Sequence, residues 1–481
     1  MSFRTGVLVA LAVLAAATGA AAAYVATDHV AGAAEVGAAA ATSNVEIPLP
    51  PVEMRLIEEG KALPVDLETA LAIAAAGNLD LLEARARLAE ARGVRNEALG
   101  ALLPQATASF TAKRIDGEIQ ASFGDLERHA FSTVVPAGGV EVSLNPGRAL
   151  FEAIAAHRGL AAASSDADQV TQDVLASVAQ RYFRLEESQA LVSIAERALA
   201  ASRELARLGR DRESEGAGLK VDVLRADARA AADEVRLAEA HNRLRDASLR
   251  LALTLKLDPT VTLVPRENVV RQRTLIDATQ PLQVLTERAR GGRAELAAQR
   301  RRIEAAESRR NATWADAVGP SVYGTFEESA IGRSLGDLGN RQIYGGFIGL
   351  RLAPASIGRV QTAQARVEQV RLVTERLDQQ IAAEVIEARD RVLTAAEQIE
   401  AALRGVRAAE AAEELSHVRF KDGVGIGLEV LDADAALSES RTSVVSAIIA
   451  YDAAQVQLLR AVGAVSPAAL LYEPNGRREG E

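Results

Sequence analysis

The chain has 481 residues, a formal net charge of −10, 48 % hydrophobic and 25 % charged residues, only 3 % aromatics and no cysteine. The acidic balance and the absence of a Lys/Arg stripe exclude a nucleic-acid partner. The missing cysteine excludes disulfides, thiolate metal sites, Cys nucleophiles and a lipid-modified Cys. Small Ala in place of large side chains suits long helices packed side by side rather than a spherical core.

In chain order, residues 1–23 read as a secretory signal peptide. Arg4 supplies the charge, Gly6 to Ala17 the apolar run, and Gly19 to Ala23 the small residues of a cleavage site. An uncleaved anchor reaching Ala26 is the alternative, and both export the protein. An N-terminal extension, 24–66, follows. A helical pattern then runs from Leu67 to about Leu102, marked by Leu71, Leu81, Leu88 and Leu99, until Pro104 ends it. Beyond Pro104 the period changes from helix to strand. Ala106, Ala108, Phe110 and Ala112 alternate with Gln105, Thr107, Ser109, Thr111 and Lys113, and Val140, Val142 and Leu144 alternate with Glu141 and Ser143. Residues 114–137 between them read as an external loop, and Pro146 closes the hairpin.

A helix from about Val170 to Glu213 would span ~65 Å at 1.5 Å per residue, too long for a compact domain. The turn Gly216-Ala-Gly218 ends it and admits a second helix. Residues 257–280 form a connector without periodicity. The same order then returns: a helix from Pro281 to about Ala317, Pro320, strands alternating Val322, Gly324 and Phe326 against Tyr323, Thr325 and Glu327, a loop over 328–341, Pro354, and a helix pair joined at Gly423-Val-Gly425-Ile-Gly427. Residues from Ser466 onward read as a loose tail, within a terminal segment 464–481.

The second half copies the first. Val178, Leu185, Val192 and Leu199 repeat every seven residues, and Val385, Val392, Ile399 and Val406 stand 207 residues further on. The same offset carries Gly216 to Gly423, Asp222 to Glu429 and Ala226-Asp227 to Ala433-Asp434. The chain therefore divides into a first repeat, 67–256, and a second, 281–463.

Four strands, polar on one face and apolar on the other, do not close a barrel alone, because the smallest bacterial membrane barrels use about eight. Several chains pooling strands would close one, with polar faces lining a wet lumen. Phe110, Phe123, Phe131, Tyr323, Phe326, Tyr344 and Phe347 concentrate in the strand windows, as aromatic girdles do. A soluble hairpin pair packed on the helices is the alternative for these windows.

No G-x-G-x-x-G loop or G-x-S-x-G elbow is present, and His29, His129, His157, His241 and His417 lack metal-ligand spacing. The expectation is a chain that is not an enzyme, with no catalytic residue, metal or cofactor. Glu186-Glu187 and Glu413-Glu414 read as solvated acidic pairs.

The element order, the duplication, Leu103-Pro104-Gln105 opening the first strand, and Phe420-Lys-Asp-Gly423 followed by Glu429-Val-Leu-Asp-Ala433 resemble the TolC-like outer membrane efflux family over nearly all of 67–463. The resemblance implies a fold that is mainly α with a membrane β-barrel, a homotrimer whose long α-barrel joins a shared 12-stranded β-barrel. It implies an outer-membrane exit duct of a tripartite efflux or type I secretion system, extending into the periplasm. The implied partners are further copies of the chain, a periplasmic adaptor, an inner-membrane pump and outer-membrane lipid. A soluble periplasmic coiled-coil adaptor or scaffold is the alternative.

By motif position the resemblance makes Glu429 and Asp432 an acidic pore constriction, since residues three apart share a helix face. Carboxylates that merely complement a helix N-terminus are the simpler reading of the same pair. At the first-copy positions stand Asp222 and Arg225, and Arg225 in place of the carboxylate of its repeat mate Asp432 suggests an inter-helix gating salt bridge that holds the tip shut, with Arg419 as a nearby substitute. Gly216, Gly218, Gly423, Gly425 and Gly427 are the implied adaptor-docking turns. The family's closing network uses a tyrosine and an arginine where this chain has Phe420 and Gly425, so the latch here differs.

Overall fold

The computed structural model describes residues 46–48, 62–120, 124–216, 218–267 and 269–471. The signal peptide, most of the extension, Phe123 and residues 472–481 lie outside the described residues. The elements are β1 (Glu46–Pro48), β2 (Ala62–Val65), α1 (Leu67–Gly77), α2 (Leu79–Gly100), β3 (Gln105–Gln120), β4 (Leu126–Leu144), α3 (Pro146–Ser214) and α4 (Lys220–Thr254). They continue with β5 (Thr262–Pro265), β6 (Val269–Arg271), α5 (Leu282–Gly292), α6 (Ala294–Val318), β7 (Ser321–Gly332), β8 (Leu338–Gly349), α7 (Ala355–Lys421), α8 (Gly427–Ala461) and α9 (Pro467–Leu470). From α1 to α4 and from α5 to α8, the same order of elements occurs twice.

The chain forms two units. The first, over 87–164 and 297–375, contains an antiparallel sheet in the order β3-β4-β7-β8. Pairing Ala106 with Val140, Val140 with Phe326, and Phe326 with Tyr344 puts all four on one face. That face is apolar, and much of it is open: Phe110 is 63 % and Tyr344 79 % exposed. Along β4 it runs from Val134 through Pro136, Val140 and Val142 to Leu144. Ten residue steps give ~33 Å, or ~25 Å at barrel tilt, which is the height of a membrane barrel's apolar band. The opposite face carries Gln105, Thr107, Glu141, Ser143, Thr325 and Glu327, interrupted where Tyr323 stands opposite Phe347.

The expected external loops are mostly strand. β3 and β4 pair as far as Gln120 and Leu126, and β7 and β8 as far as Gly332 and Leu338. Past Ala112 the alternation continues with its sign reversed: Arg114, Asp116 and Glu118 take over the face that was apolar. The strands thus continue beyond the apolar band with a hydrophilic exterior. The long helix α3 likewise starts at Pro146 rather than near Val170, because Pro146 is a good first-turn residue and Asn145 Oδ1 accepts from the Arg148 N–H at 2.9 Å.

The second unit, over the described residues of 46–86, 165–296 and 376–471, holds the large core. The heptad residues Val178, Leu185, Val192, Val385, Val392 and Ile399 are all buried there. Each opening helix, expected to be continuous, is broken in two. At Asn78 the side chain caps α2, accepting from Asp80 N–H at 2.9 Å while its amide donates to the Thr254 carbonyl at 2.8 Å. At Arg293 the chain turns extended and the guanidinium reaches the Arg460 carbonyl and Glu384. Periodicity carries through both breaks, so only the Asn and the Gly291-Gly292 pair signal them.

The described residues of the connector carry two short strands. β5 pairs in parallel with β2, and β6 antiparallel with β1. Its next residue but one, Arg273, holds Glu186 of α3 through two bonds of 2.8 and 2.9 Å and Asp452 of α8 at 3.2 Å, and stacks 4.9 Å from the Phe183 ring. Glu186 is 3 % and Asp452 0 % exposed, which corrects the reading of Glu186 as solvated surface. Burial raises the pKa of Glu186 and pushes Asp452 up to about 8, against the pull of Arg273. Burial opposes the charge on Arg273, but the Glu186 and Asp452 carboxylates outweigh it and hold its pKa above the ordinary value. Two carboxylates face one guanidinium, so the neutral cluster carries one proton. The start of the tail is also docked: Ser466 caps α9, and Leu470 is buried.

Candidate functional site

The two helix turns, predicted as the docking and gating end, lie in the second unit and are built alike. Gly216 and Gly423 adopt φ of +74° and +77°, a region L side chains avoid. Gly218 N–H donates to the Arg212 carbonyl at 2.9 Å, and Gly425 N–H to the Arg419 carbonyl at 2.9 Å, 207 residues apart. A Cβ at Gly218 would stand 3.0 Å from Glu213 N, and one at Gly425 3.1 Å from Phe420 N. Neither Leu219 nor Ile426, the caps of α4 and α8, offers a side-chain acceptor, so Asp222 and Glu429 in the first turns face uncapped N–H dipoles.

The repeat extends to the cross-links behind each turn. Arg210 of α3 holds Asp227 of α4 at 2.7 Å, and at the same offset His417 of α7 meets Asp434 of α8 at 3.0 Å. Further back, Arg203 pairs with Glu234 at 2.7 Å; its counterpart is Glu410 with Arg441 at 3.2 Å, the charges exchanged.

The two turns touch. Arg212 Nη1 donates to the Phe420 carbonyl at 3.0 Å, and the guanidinium lies 4.6 Å over the Phe420 ring. Gly427 is buried, and a Cβ there would stand 3.6 Å from Asp222 Cβ and 3.7 Å from Phe420 Cε2. Leu205, Ala206, Ala226 and Val430 fill the space behind them. Arg212 was missed in the sequence, although it is the repeat mate of Arg419. Phe420 cannot donate a hydroxyl hydrogen bond, but its ring and carbonyl both engage this arginine.

Of the other predicted residues, Arg419 reaches Glu429 at 3.4 Å, and Arg225 reaches Asp222 of its own helix at 3.7 Å. Glu429 and Asp432 are exposed on α8. Around the turns Leu219, Val424 and Ile426 are open to solvent at 66 %, 73 % and 56 %. The site thus offers an apolar rim, carboxylates at uncapped helix starts and arginines close by.

The sequence profile of outer membrane efflux proteins matches residues 70–255. No curated protein sequence matches the chain. Among solved structures, the outer-membrane channel OprN superposes with a TM-score of 0.72 at 22 % identity, over 83 % of this chain and 90 % of that one. The outer membrane protein VceC from Vibrio cholerae gives 0.71 at 20 %, over 82 % and 96 %. The CmeC outer membrane channel of Campylobacter jejuni gives 0.73 at 16 %, over 83 % and 85 %. These likenesses establish the fold over both repeats, and the profile of outer membrane efflux proteins covers the first of them.

Proposed function

We propose that the chain is one protomer of a trimeric exit duct, carrying cargo across the outer membrane for a tripartite efflux or type I secretion system. The observation that supports this most is the sheet. β3 and β8 are edge strands of 16 and 12 residues with unpaired backbone, and one sheet face is apolar and open. Neither lipid nor water tolerates such edges. Three copies joined edge to edge give a closed barrel of twelve strands with apolar residues outward. Residues 67–256 and 281–463 act as two copies of one unit within each protomer.

In this reading the turns at Gly216, Gly218, Gly423, Gly425 and Gly427, with the rim of Leu219, Val424 and Ile426, dock a periplasmic adaptor that links the duct to an inner-membrane pump. Glu429 and Asp432 from three protomers ring the periplasmic entrance and favour cations. Asp222, Arg225 and Arg419 hold that entrance closed, with Arg212 on Phe420 serving where the family's tyrosine is absent. Outer-membrane extracts in mild detergent test the assembly by native mass spectrometry and negative-stain imaging. Three-fold particles of three chains are expected. Monomers extracted from the soluble periplasmic fraction would overturn the proposal and favour an adaptor or scaffold.

A further inference from the structure

The geometry points to a divalent metal site formed by Glu413, His417 and Asp434, which clamps α7 to α8 behind the second turn. His417 Nε2 lies 3.0 Å from Asp434 Oδ1 and 3.6 Å from Glu413 Oε1, and the three ligand atoms lie within 4.8 Å of one another. Ligands on a tetrahedral Zn²⁺ at 2.0–2.2 Å stand about 3.4 Å apart. Small side-chain shifts therefore bring all three onto one ion. Glu413 and His417 are spaced i, i+4 on one helix face, and Asp434 comes from the facing helix.

The first repeat supplies an internal control. At the same offset it has Ala206, Arg210 and Asp227, where the Arg210–Asp227 ion pair at 2.7 Å balances charge with a fixed cation. In the second repeat the arginine has become an imidazole and the alanine a second carboxylate. The permanent cation is gone and a negative charge has been added. Two carboxylates match the charge of one dication.

The remaining cations do not supply it. Arg229 is bonded to Asp233 at 3.1 Å and Arg441 to Glu410 at 3.2 Å, and Arg197 makes no ion pair with Glu413 or Asp434 among the described residues. Asp434 Oδ2 is buried and accepts no hydrogen bond among the described residues. Glu413 and Asp434 also line a neighbouring cavity of about 70 Å³, shared with Arg197, Arg229 and Arg441, which is large enough for water. The side chains of Glu413 and His417 are 33 % and 40 % exposed, which gives the ion a way in. One imidazole nitrogen with carboxylate oxygens suits a borderline dication of the Zn²⁺ class.

The test is calorimetric titration of the chelator-stripped, detergent-solubilised full-length protein with Zn²⁺, with Co²⁺ visible spectra as a second readout. Wild type is expected to bind one ion per chain and to melt higher with the ion present. The double variant Glu413→Ala/His417→Arg installs the first repeat's ion pair, so its fold is retained. It is expected to lose the site, by more than the 10–100-fold that deleting an outer-shell partner costs. His417→Gln, which keeps a hydrogen bond to Asp434, is the second variant and is expected to lose the Co²⁺ spectrum. No Zn²⁺ binding by wild type, or equal binding by all three proteins, overturns the site. The readout is binding, so its failure is separate from failure of the channel proposal.

Discussion

Replacing Arg273 by Met leaves Glu186 and Asp452, 3 % and 0 % exposed, facing each other without their shared cation. Deleting one partner of a buried ion cluster costs about 3–5 kcal/mol. The charge count also predicts a pH signature. Asp452, pushed up to about 8 in the folded protein, titrates near 3.9 when unfolded. A raised folded value means that the native state holds the extra proton. Its stabilisation is therefore complete below about pH 4, declines as pH rises, and is gone above about pH 8. Between those limits one proton gives a slope of about −1.4 kcal/mol per pH unit. Without Arg273 both carboxylates must bind a proton to stay buried, and the slope becomes steeper, up to about twice as steep. From pH 5 to 7 the variant should therefore lose more stability than wild type, by up to about 3 kcal/mol. Urea titrations in detergent at fixed protein concentration, followed by helical circular dichroism at pH 5, 6 and 7, measure the difference. Parallel pH profiles for Arg273→Met and wild type would refute the reasoning. The triple variant Glu186→Gln/Arg273→Met/Asp452→Asn carries no titrating group in the cluster and should lose the cluster's share of the slope.

At the turns, Glu429→Gln/Asp432→Asn is expected to lower cation preference in planar-bilayer recordings, whereas Glu429→Asp/Asp432→Glu retains it; equal selectivity in both rejects the acidic ring. Arg212→Ala removes the bond to the Phe420 carbonyl and the contact with its ring, together about 1–3 kcal/mol of local stability. Limited proteolysis should then cut between residues 421 and 427 faster than in wild type. The helix ends offer a paired test. Lys256 and Gly463 are repeat mates in left-handed conformation, with φ of 56° and 71°. Lys256→Gly should stabilise by about 1 kcal/mol. Gly463→Ala, whose Cβ would lie 2.4 Å from the Gly292 carbonyl carbon, should destabilise by about 1–3 kcal/mol or more, read from the same urea titrations.

Much of this architecture was legible because apolar period and repeat offset are direct projections of burial. Val178 and Val385 sit in the core where their heptads put them, and Ala106 and Phe110 share the apolar sheet face. What escaped depends on partners distant in sequence. The breaks at Asn78 and Arg293 rest on bonds to Thr254 and Arg460. Glu186 looks like any helix-surface glutamate until the connector lays Arg273 across it. The strand extensions were mistaken for loops because a hydrophilic exterior above the apolar band reverses the alternation, which a search for apolar positions on one constant face reads as its end. At the turns the glycines were found from conformation alone, while Arg212 emerges only when the two repeats are laid over one another.

The charge exchange between the clamps Arg203–Glu234 and Glu410–Arg441 bears on how the duplicated hairpins find their own halves. A duplicated gene starts with two interchangeable hairpins, and α3 could close on α8 as readily as on α4. With the signs reversed, that mismatch would set Arg203 against Arg441 and Glu410 against Glu234, two repulsions in place of two attractions. The exchange leaves the native pairs unchanged in kind and penalises only the swapped ones. It acts as a polarity key: each helix favours its own sequel over its copy.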